Sequence, residues 1–470
     1  MKRVVVVGGG ISGLATAIYL ELLAAERDFP LSVTVLEKEP LPGGKMRTTR
    51  DEGYLVEWGP NGFLTNKPDT LSLVEKIGIE DRLYPSSDRA RRRFLCLGGK
   101  LHLLPEKPGQ FFTSPLLSAA GKLRVLLEPF IPPAPPGKEE TLAEFARRRL
   151  GQEALEKLIE PMAAGIYAGN PEEMSLRHCF PLVHSLEKEH GSLIRGMLAK
   201  VKERKKRGES ASASAGPGGV LTSFDGGVQT LVEEIAAKTG CRMVTGAGVN
   251  ALERNPAGFF LVRGSREGED FSLEAEAVVV STPAYSASRI AAALDPDLSH
   301  ALSSIPYAPI SVVAASFDRA GLEETLNGFG YLVPRREGRK VLGVLFDSSI
   351  FPNRAPEGKA LLRGMVGGAR NPDLALLPEE DIVEIFLQEI AETLGIRKTP
   401  EKTWFFRHER GIPQYTRDHG KKLEVIRKKE RENPGLFFNN NAYEGIGLND
   451  CVRNGRLTAE KVLDFLSDTE

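Results

Sequence analysis

The sequence predicts an α/β fold with α+β parts, because the chain begins with alternating strand and helix patterns and later becomes mainly helical, then mainly strand-like. The β-branched run Val4–Val7 is typical of a buried strand, and helical spacing follows over Leu14–Ala25. A second strand, Ser32–Glu37, completes a βαβ unit. Strand-like runs return only beyond residue 241. The chain therefore combines an α/β unit with sections of a different pattern.

The composition indicates a globular protein and excludes several classes of function. Hydrophobic residues make up 41% and charged residues 27% of the 470 residues, a length that predicts two or three lobes. The net charge of −1 provides no general attraction for nucleic acid. The four cysteines are far apart, and the seven histidines form no HxH or HExxH pattern. We therefore expect no metal site and no disulfide framework, and a reducing cytoplasm fits best.

Neither export nor a membrane span is expected. The valine run after Met1 is too short for the apolar section of a signal peptide. No run approaches the roughly 18 to 20 apolar residues that a transmembrane helix needs.

The rest of the chain divides by pattern. Thr141 and Glu144 form a capping box that predicts a helix over Thr141–Arg149. Residues 202–219 are charged and then rich in Gly and Ser, which is typical of a mobile surface connection. The remaining predicted strands are Arg242–Thr245, Phe259–Val262, Ala277–Val280, Ile310–Phe317, Leu361–Val366 and Gly435–Asn439, and the remaining predicted helices are Glu379–Leu394 and Asn454–Leu466.

A glycine-rich turn follows the first predicted strand and opens the first predicted helix. It matches the GxGxxG pattern of a Rossmann-like dinucleotide site in the position that makes this pattern meaningful. The glycines allow a tight turn, a close approach of a pyrophosphate and close helix packing, while the helix N-terminus directs free N–H groups at the phosphates. The residues of this predicted cofactor site are Gly8, Gly9, Gly10, Ile11, Ser12 and Gly13.

An acidic residue stands at the end of the second predicted strand. Glu37 is placed to accept hydrogen bonds from ribose hydroxyls, and its charge disfavours the 2′-phosphate of NADP. Lys38 follows it, and a second glycine pair, Gly43 and Gly44, lies just beyond with Lys45. A plain nicotinamide dehydrogenase needs neither this pair nor the segment EWGPN at 57–61, although a glycine pair alone is often only a turn.

Together, the segments VVVVGGGISGLATA, VLEKEPLPGGKMRT and VEWGPNGF resemble the flavoprotein family of amine oxidases, phytoene desaturases and protoporphyrinogen oxidases. Five further segments resemble the protoporphyrinogen and coproporphyrinogen III oxidases in particular. They are LIEPMAAGIYAGNPEEMS, SFDGGVQTLVEEI, GFGYLVP, GIPQYTRDH and NAYEGIGLNDCVRNG, and with the first three they extend from residue 4 to residue 455.

The resemblance implies a three-part architecture. We expect a discontinuous FAD-binding domain (1–66, 222–290 and 410–470) and a substrate-binding domain with an antiparallel sheet (67–94 and 291–409). A helical lobe at 95–208 is expected to associate with a membrane surface, and 209–221 is expected to be a flexible connection. The segment 108–133, rich in Phe, Leu and Pro with Lys122 and Arg124, suits shallow insertion at a membrane interface, or else ordinary packing within the lobe.

The resemblance also assigns cofactor contacts residue by residue. FAD pyrophosphate would lie at Gly8, Gly10 and Gly13, and its ribose at Glu37. The remaining contacts fall on Lys38, Gly43, Gly44, Lys45, Gly59, Pro60, Asn61, Val249, Ile446, Gly447 and Leu448. One departure is that related flavoproteins have Gly and then an acid where this chain has Asn439-Asn440-Asn441, whose amides can still bind ribityl or phosphate oxygens.

Porphyrinogen oxidation, the activity that the resemblance implies, needs no catalytic side chain, because the flavin accepts the electrons. We expect a mostly apolar cleft with few polar anchors. By resemblance, Arg93 pairs with a substrate propionate, Phe329 and Leu332 form apolar walls, and Ala164 and Gly165 leave room for the macrocycle. The alternatives are a solvated basic surface for Arg93, core packing for Phe329 and Leu332, and a backbone requirement for Gly165.

Several readings of the function remain open from sequence. The substrate is expected to be protoporphyrinogen IX, with coproporphyrinogen III as the nearest rival, and oxygen is the expected acceptor, giving hydrogen peroxide. Membrane-peripheral attachment in the cytoplasm is expected, a chelatase can receive the product, and the chain can form a homodimer. More distant alternatives are an amine oxidase or carotenoid desaturase and a flavin-less escort protein, which the intact GxGxxG motif and Glu37 disfavour.

Overall fold

The computed structural model describes residues 1–135, 137–206 and 219–468. Most of the connection expected at 209–221 therefore lies outside the described residues. The mixed α/β class predicted from the sequence is confirmed.

The strands fall into a parallel sheet, a large mixed sheet and three small antiparallel sheets. Within the described residues they are β1 (Lys2–Val7), β2 (Leu31–Leu36), β3 (Thr48–Asp51), β4 (Tyr54–Glu57), β5 (Phe63–Leu64), β6 (Leu83–Pro85), β7 (Arg93–Leu97), β8 (Lys100–Leu103), β9 (Leu221–Phe224), β10 (Arg242–Val244), β11 (Ala247–Arg254), β12 (Phe260–Arg266), β13 (Glu269–Ala275), β14 (Ala277–Val280), β15 (Tyr307–Asp318), β16 (Gly330–Leu332), β17 (Val341–Leu345), β18 (Lys359–Gly367), β19 (Lys402–Pro413) and β20 (Leu436–Phe438).

The helices are concentrated between residues 108 and 206 and near the C-terminus. In the described part of the chain they are α1 (Ile11–Glu26), α2 (Asp69–Lys76), α3 (Pro108–Thr113), α4 (Ala119–Leu126), α5 (Leu142–Arg149), α6 (Gln152–Ala154), α7 (Glu160–Tyr167), α8 (Leu176–Cys179), α9 (Pro181–His190), α10 (Leu193–Lys206), α11 (Gln229–Lys238), α12 (Ala284–Ala291), α13 (Pro296–Ser303), α14 (Asp347–Ile350), α15 (Glu379–Leu394), α16 (His419–Glu432) and α17 (Leu448–Ser467). A π-helical turn, Leu155–Ile159, connects α6 to α7.

The parallel sheet has the strand order β10-β2-β1-β14-β20, so three separate sections of the chain build it. Its central strand explains the valine run, since Val4 and Val6 pack on one core and Val5 and Val7 on another. Helices α1 and α17 cover the first face and cross closely at Gly455, where a Cβ atom would lie 2.7 Å from that of Ala15. This crossing brings the N-termini of both helices to the same edge of the sheet.

The mixed sheet has the strand order β19-β15-β18-β17-β16-β7-β8. Its neighbours are antiparallel except β16 and β7, which run parallel with Gly330 opposite Arg93. Helix α15 packs on one face through Phe386 and Ile390. Residues 95–103, which the sequence boundaries assigned to the helical lobe, belong to this sheet as β7 and β8 because a glycine pair, Gly98-Gly99, closes a hairpin between them.

The helical lobe is cross-linked by buried charges. Arg149 and Glu128 are fully buried, and Nη1 of Arg149 lies 3.0 Å from Oε1 of Glu128. Arg149 also contacts Glu187 on α9, while Glu128 accepts the backbone N–H groups that open α10. Because every charge in this network is paired and hydrogen-bonded, its burial is tolerated and α5, α9 and α10 are joined. The capping box predicted at Thr141 and Glu144 is confirmed at the start of α5.

Candidate functional site

The turn between β1 and α1 has the backbone that a pyrophosphate site requires. Gly8 has φ 108°, a backbone conformation that residues other than glycine rarely adopt. At Gly13 a Cβ atom would lie 1.9 Å from the carbonyl oxygen of Gly8, so only glycine lets the helix begin this close to the strand. At Gly10 a Cβ atom would meet nothing within 4 Å, so the space beside this residue is open. Ile11 and Ser12 follow as the first residues of α1, whose N-terminus no side chain caps.

Glu37 lies directly behind this turn. Its side chain is buried and accepts hydrogen bonds from the backbone N–H groups of Gly9, at 2.7 Å, and Glu39, at 2.9 Å. These bonds fix the carboxylate at the end of β2, beside the glycine turn. The N–H of Ala247, the first residue of β11, donates to the carbonyl of Glu37, and Val249 follows two residues along the same strand. Lys38 is exposed and forms an ion pair with Glu39 at 3.2 Å.

The same edge of the sheet carries hydrogen-bonding groups that the protein does not use. The hydroxyls of Ser281 and Thr282, which follow β14, are buried and have no hydrogen-bond partner in the described part of the chain. Buried hydroxyls without partners are uncommon in folded proteins. With the open space at Gly10 and the uncapped N-terminus of α1, they fit an extended phosphate-bearing ligand such as FAD.

The second glycine pair lies against the first turn. Gly43 has φ 122° and donates its N–H to the carbonyl of Gly9 at 2.8 Å, and Gly44, with φ 58°, is exposed. The ammonium of Lys45 instead points into the protein, where it donates to the carbonyls of Arg410 and Gly411 at the end of β19. Burial lowers the pKa of Lys45 to about 8. This side chain thus ties the glycine loop to the mixed sheet.

The loop Gly59–Asn61 follows β4 at the junction of the two large sheets. Gly59 and Pro60 are exposed and Asn61 is half-buried. Arg363, from the middle of β18, donates to the carbonyl of Gly59 at 3.0 Å and also to the side-chain oxygen of Asn61. A residue of the mixed sheet therefore determines the position of this loop.

A C-terminal turn completes the edge of the parallel sheet. Ile446 and Gly447 are half-buried, and Gly447 precedes α17, which begins at Leu448. The N-terminus of α17 therefore points to the same edge as that of α1, so that two helix dipoles favour negative charge there.

The asparagine run before this turn is used within the protein. The amide of Asn439 donates to the carbonyl of Ser12 at 3.1 Å and to the hydroxyl of Thr16 at 2.8 Å. The amide of Asn440 donates to the carbonyl of Ser281 at 3.0 Å. Both N–H groups of the Asn439 amide are therefore used within the protein, and its contact with FAD stays a prediction.

The predicted substrate residues come together in two contacts, one between β7 and the start of β16 and one between β16 and α7. The guanidinium of Arg93 stacks on the ring of Phe329 at 5.0 Å. Leu332, two residues into β16, faces α7, where a Cβ atom on Gly165 would lie 2.9 Å from Leu332 Cδ2. Ala164 precedes Gly165 on the same helix. Arg93 is exposed, and no carboxylate of the described residues lies within ion-pair distance of it.

A chain of hydrogen bonds connects this patch to the glycine loops. The N–H of Phe346 donates to the carbonyl of Phe329 at 3.0 Å, and the next residue, Asp347, binds Arg363 at 2.8 Å. Since Arg363 contacts Asn61, these hydrogen bonds join the patch to the Gly59–Asn61 loop.

The position of α7 depends on contacts that the sequence analysis missed. Arg370, just after β18, contacts Glu160 at the start of the helix and lies 3.2 Å from the side-chain oxygen of Asn170. Gln414 donates to the carbonyl of Tyr167 at the end of the helix at 2.8 Å. These contacts place Ala164 and Gly165 beside β16. Among the described residues no cluster of His, Cys, Asp or Glu is suited to hold a metal ion.

Comparisons with known proteins agree with this arrangement. The flavin containing amine oxidoreductase family matches residues 11–463. The coproporphyrinogen III oxidase of Bacillus subtilis (strain 168) is 31% identical over 99% of this chain and 98% of its own length. The chloroplastic protoporphyrinogen oxidase of Oryza sativa subsp. japonica is 34% identical over 98% of this chain and 88% of its own. A solved structure of a candidate protoporphyrinogen oxidase from Exiguobacterium sp. 255-15 is 28% identical, with a TM-score of 0.81 over 98% of both chains.

Proposed function

The chain belongs to the flavin containing amine oxidoreductase family, and we propose that it is an FAD-dependent oxidase that converts protoporphyrinogen IX to protoporphyrin IX. Its full-length relatives are named protoporphyrinogen oxidase and coproporphyrinogen III oxidase. The observation that supports the proposal is the hydrogen-bonded connection between the glycine loops and the Arg93–Phe329 patch, which we take to border one cleft. The loops form a dinucleotide cradle, and the patch carries apolar side chains and the exposed guanidinium of Arg93.

The residues of the chain have simple roles in this scheme. Gly8, Gly10 and Gly13 admit the pyrophosphate, Glu37 binds the ribose, and the turns at 43–45, 59–61 and 446–448 border the flavin. Bound FAD supplies the acceptor for three successive two-electron oxidations. Phe329 and Leu332 form the apolar wall, and Ala164 and Gly165 leave space for the macrocycle. Arg93 binds a propionate through its planar guanidinium, which orients the macrocycle without taking part in the chemistry.

The identity of the porphyrinogen depends on the number of carboxylates bound. Arg93 is exposed and unpaired at the patch, whereas nearby Arg370 contacts Glu160 and Arg336 lies 3.3 Å from Glu156. We assign propionate binding to Arg93 alone, which favours a substrate with two propionates over one with four, although the exposed Arg92 lies next to it. Coproporphyrinogen III remains the second candidate, because the Bacillus subtilis coproporphyrinogen III oxidase aligns with almost the whole chain.

We propose molecular oxygen as the final acceptor, with hydrogen peroxide as its product. An aerobic assay tests both this point and the choice of substrate. Porphyrin fluorescence and peroxide are measured with each porphyrinogen, and the proposal predicts three peroxides per porphyrin and faster turnover of protoporphyrinogen IX. Faster turnover of coproporphyrinogen III would make it the preferred substrate in place of protoporphyrinogen IX. Formation of porphyrin without peroxide would show that the electrons pass to an acceptor other than oxygen.

We propose that the helical lobe attaches the protein to the surface of the cytoplasmic membrane. Large apolar side chains are exposed there, among them Phe130, which is 76% exposed, and Leu198, which is 64% exposed. Glu128 connects the turn that contains Phe130 to the start of α10, so the two sets of apolar residues lie on neighbouring elements. Lys122 and Lys200 add positive charge, which suits the interface of an anionic bilayer.

Sedimentation with anionic phospholipid vesicles tests this attachment. The F130S/L198S double variant should bind less well than the parent, and equal binding would contradict the proposal. No helix in the described ranges has the length and apolarity needed to cross a bilayer.

We further propose that the product passes to a chelatase. We also propose that the chain forms a homodimer, and analytical ultracentrifugation is the direct test of the dimer.

A further inference from the structure

We infer that Arg363 is a positioning residue that fixes the Gly59–Asn61 loop and determines that the Asn61 amide presents its N–H groups, and not its oxygen, to the cleft. The inference rests on the proposed FAD site. Arg363 belongs to the mixed sheet and is distant in sequence from the glycines of the nucleotide turn.

Arg363 is almost completely buried, and each of its three guanidinium nitrogens donates hydrogen bonds. It is 1% exposed in the middle of β18. Its Nε and Nη2 atoms donate to the carboxylate of Asp347 at 2.8 and 3.2 Å. Its Nη1 donates to the backbone carbonyls of Glu57 at 2.7 Å and Gly59 at 3.0 Å. One planar group thus joins the carbonyls at the end of β4 and in the following loop to the carboxylate that opens α14.

The local charges make this arrangement stable without leaving a net charge beside the flavin. Arg363 and Asp347 form one buried pair, and Arg354 and Glu57, 3.0 Å apart, form another next to it. Glu57 also accepts from the hydroxyl of Thr48 at 2.6 Å. Buried ions require this degree of pairing. A lysine keeps the charge of Arg363, but its single nitrogen cannot reach Asp347, both carbonyls and Asn61 together.

The orientation of the Asn61 amide follows from the chemistry of arginine. A guanidinium only donates hydrogen bonds, so the Asn61 atom that it contacts is the side-chain oxygen. The Asn61 nitrogen is the other end of the amide, and its one contact given among the described residues is a long bond of 3.5 Å to Asp347, which can occupy only one of its two N–H groups. At least one N–H therefore remains for the cleft, beside the exposed Gly59 and Pro60.

A hydrogen-bond donor at this position has a measurable effect on a bound flavin. Electrons added to the isoalloxazine increase its negative charge, and a fixed N–H donor stabilises that charge more than it stabilises the oxidised ring. Arg363 should therefore strengthen FAD binding, by ordering the loop, and raise the midpoint potential, by orienting Asn61. A residue that only stabilised the fold would change neither quantity.

The test compares Arg363→Lys, Asn61→Ala and Arg149→Lys with the parent. Arg149 is the matched control, since it is an equally buried, ion-paired arginine in the helical lobe, away from the cleft. The dissociation constant of FAD is obtained from quenching of flavin fluorescence when the apoprotein is titrated. The midpoint potential is obtained by reduction in equilibrium with a reference dye, and thermal unfolding is recorded for each protein.

We expect R363K to bind FAD about tenfold more weakly and its midpoint potential to fall by about 30 mV, the equivalent of a tenfold change for a two-electron couple. N61A should show the same fall in potential with less than about a threefold change in affinity. R149K should lower the unfolding temperature while both flavin quantities stay at their parent values.

An R363K protein with parent affinity and parent potential would overturn the inference. If R363K does not fold, N61A decides, because an unchanged potential in that variant would show that the amide does not act on the flavin. None of these measurements needs a porphyrinogen. A parent protein that binds FAD but oxidises no porphyrinogen would contradict the proposed function and leave the role of Arg363 intact.

Discussion

Replacing Gly10 and Gly13 separately by alanine should distinguish a glycine required for cofactor binding from a glycine required for folding. A methyl group on residue 10 would enter the proposed pyrophosphate site, whereas one on residue 13 would collide with the protein backbone. The two glycines are three residues apart in the same turn. Gly10 has φ −74° and ψ 173°, which alanine adopts easily, and its Cβ atom would meet nothing within 4 Å. The Cβ atom of an alanine at position 13 would lie 1.9 Å from the carbonyl oxygen of Gly8, well inside van der Waals contact.

The expected magnitudes follow from these distances. In the apoprotein, Gly10→Ala gains about 0.4–1 kcal/mol from the less flexible unfolded chain and loses a similar amount as a poorer N-cap, so its unfolding free energy should change by less than about 1 kcal/mol. A methyl group in the path of the pyrophosphate should cost about 1–3 kcal/mol of binding, or roughly 10- to 100-fold in affinity. Gly13→Ala should destabilise the apoprotein itself by about 3 kcal/mol, because backbone must move.

Urea unfolding of the apoproteins and fluorescence titration with FAD measure the two quantities. The account requires Gly10→Ala to have parent stability with weak FAD binding, and Gly13→Ala to lose stability before any cofactor is added. Binding of FAD by Gly10→Ala within about twofold of the parent would refute the assignment of the pyrophosphate to this turn.

Three further predictions concern the substrate patch and a buried histidine. Arg93→Ala should raise the KM for protoporphyrinogen IX about 10- to 100-fold with a smaller change in kcat, since a charge-assisted hydrogen bond contributes about 1.5–3 kcal/mol, and an unchanged KM in steady-state porphyrin fluorescence would contradict its role. Gly165→Val should push Leu332 Cδ2, already 2.9 Å from an ideal Cβ atom, into the cleft and raise KM more than Gly165→Ala does; equal effects of the two would contradict this packing. Burial lowers the pKa of His419 to about 4. Because the unfolded value is about 6.5, the unfolded state binds the proton first, and stability that is complete above pH 6.5 should fall by about 2 kcal/mol between pH 7.5 and pH 5. Urea unfolding of His419→Gln should show a correspondingly smaller pH dependence.

The nucleotide turn was predictable because its requirements are local. The valine run, the three glycines and Glu37 lie within one βαβ unit, and strand and helix occur where the sequence placed them, with α1 longer at both ends than Leu14–Ala25. The partner of Glu37 is equally local, since Gly9 belongs to the same unit.

The contacts of Arg363 were not predictable, because they join positions about 300 residues apart in the sequence. The available signal was an arginine within the apolar run LLRGMV, since a charge inside a buried strand requires a partner. The sequence did not show that this partner is Asp347 or that the loop at Asn61 lies beside it.

The hairpin of β7 and β8 shows a different kind of omission. The sequence CLGGKL contains a two-residue glycine turn between short apolar runs, a recognised hairpin signal. The expectation of a helical lobe from residue 95 came from the family resemblance and passed over this local signal. The sequence also did not show that the N–H groups of Asn439 bind two acceptors on α1, Ser12 and Thr16.

The most direct test of the central claim is an anaerobic titration of the purified holoprotein with protoporphyrinogen IX, followed by the absorbance of the oxidised flavin. Each porphyrinogen carries six electrons to lose and each flavin accepts two, so the account predicts complete bleaching at about one third of an equivalent, with porphyrin fluorescence appearing in step. Flavin absorbance that persists with an excess of both protoporphyrinogen IX and coproporphyrinogen III would contradict porphyrinogen oxidation and direct the search to amines and carotenoids.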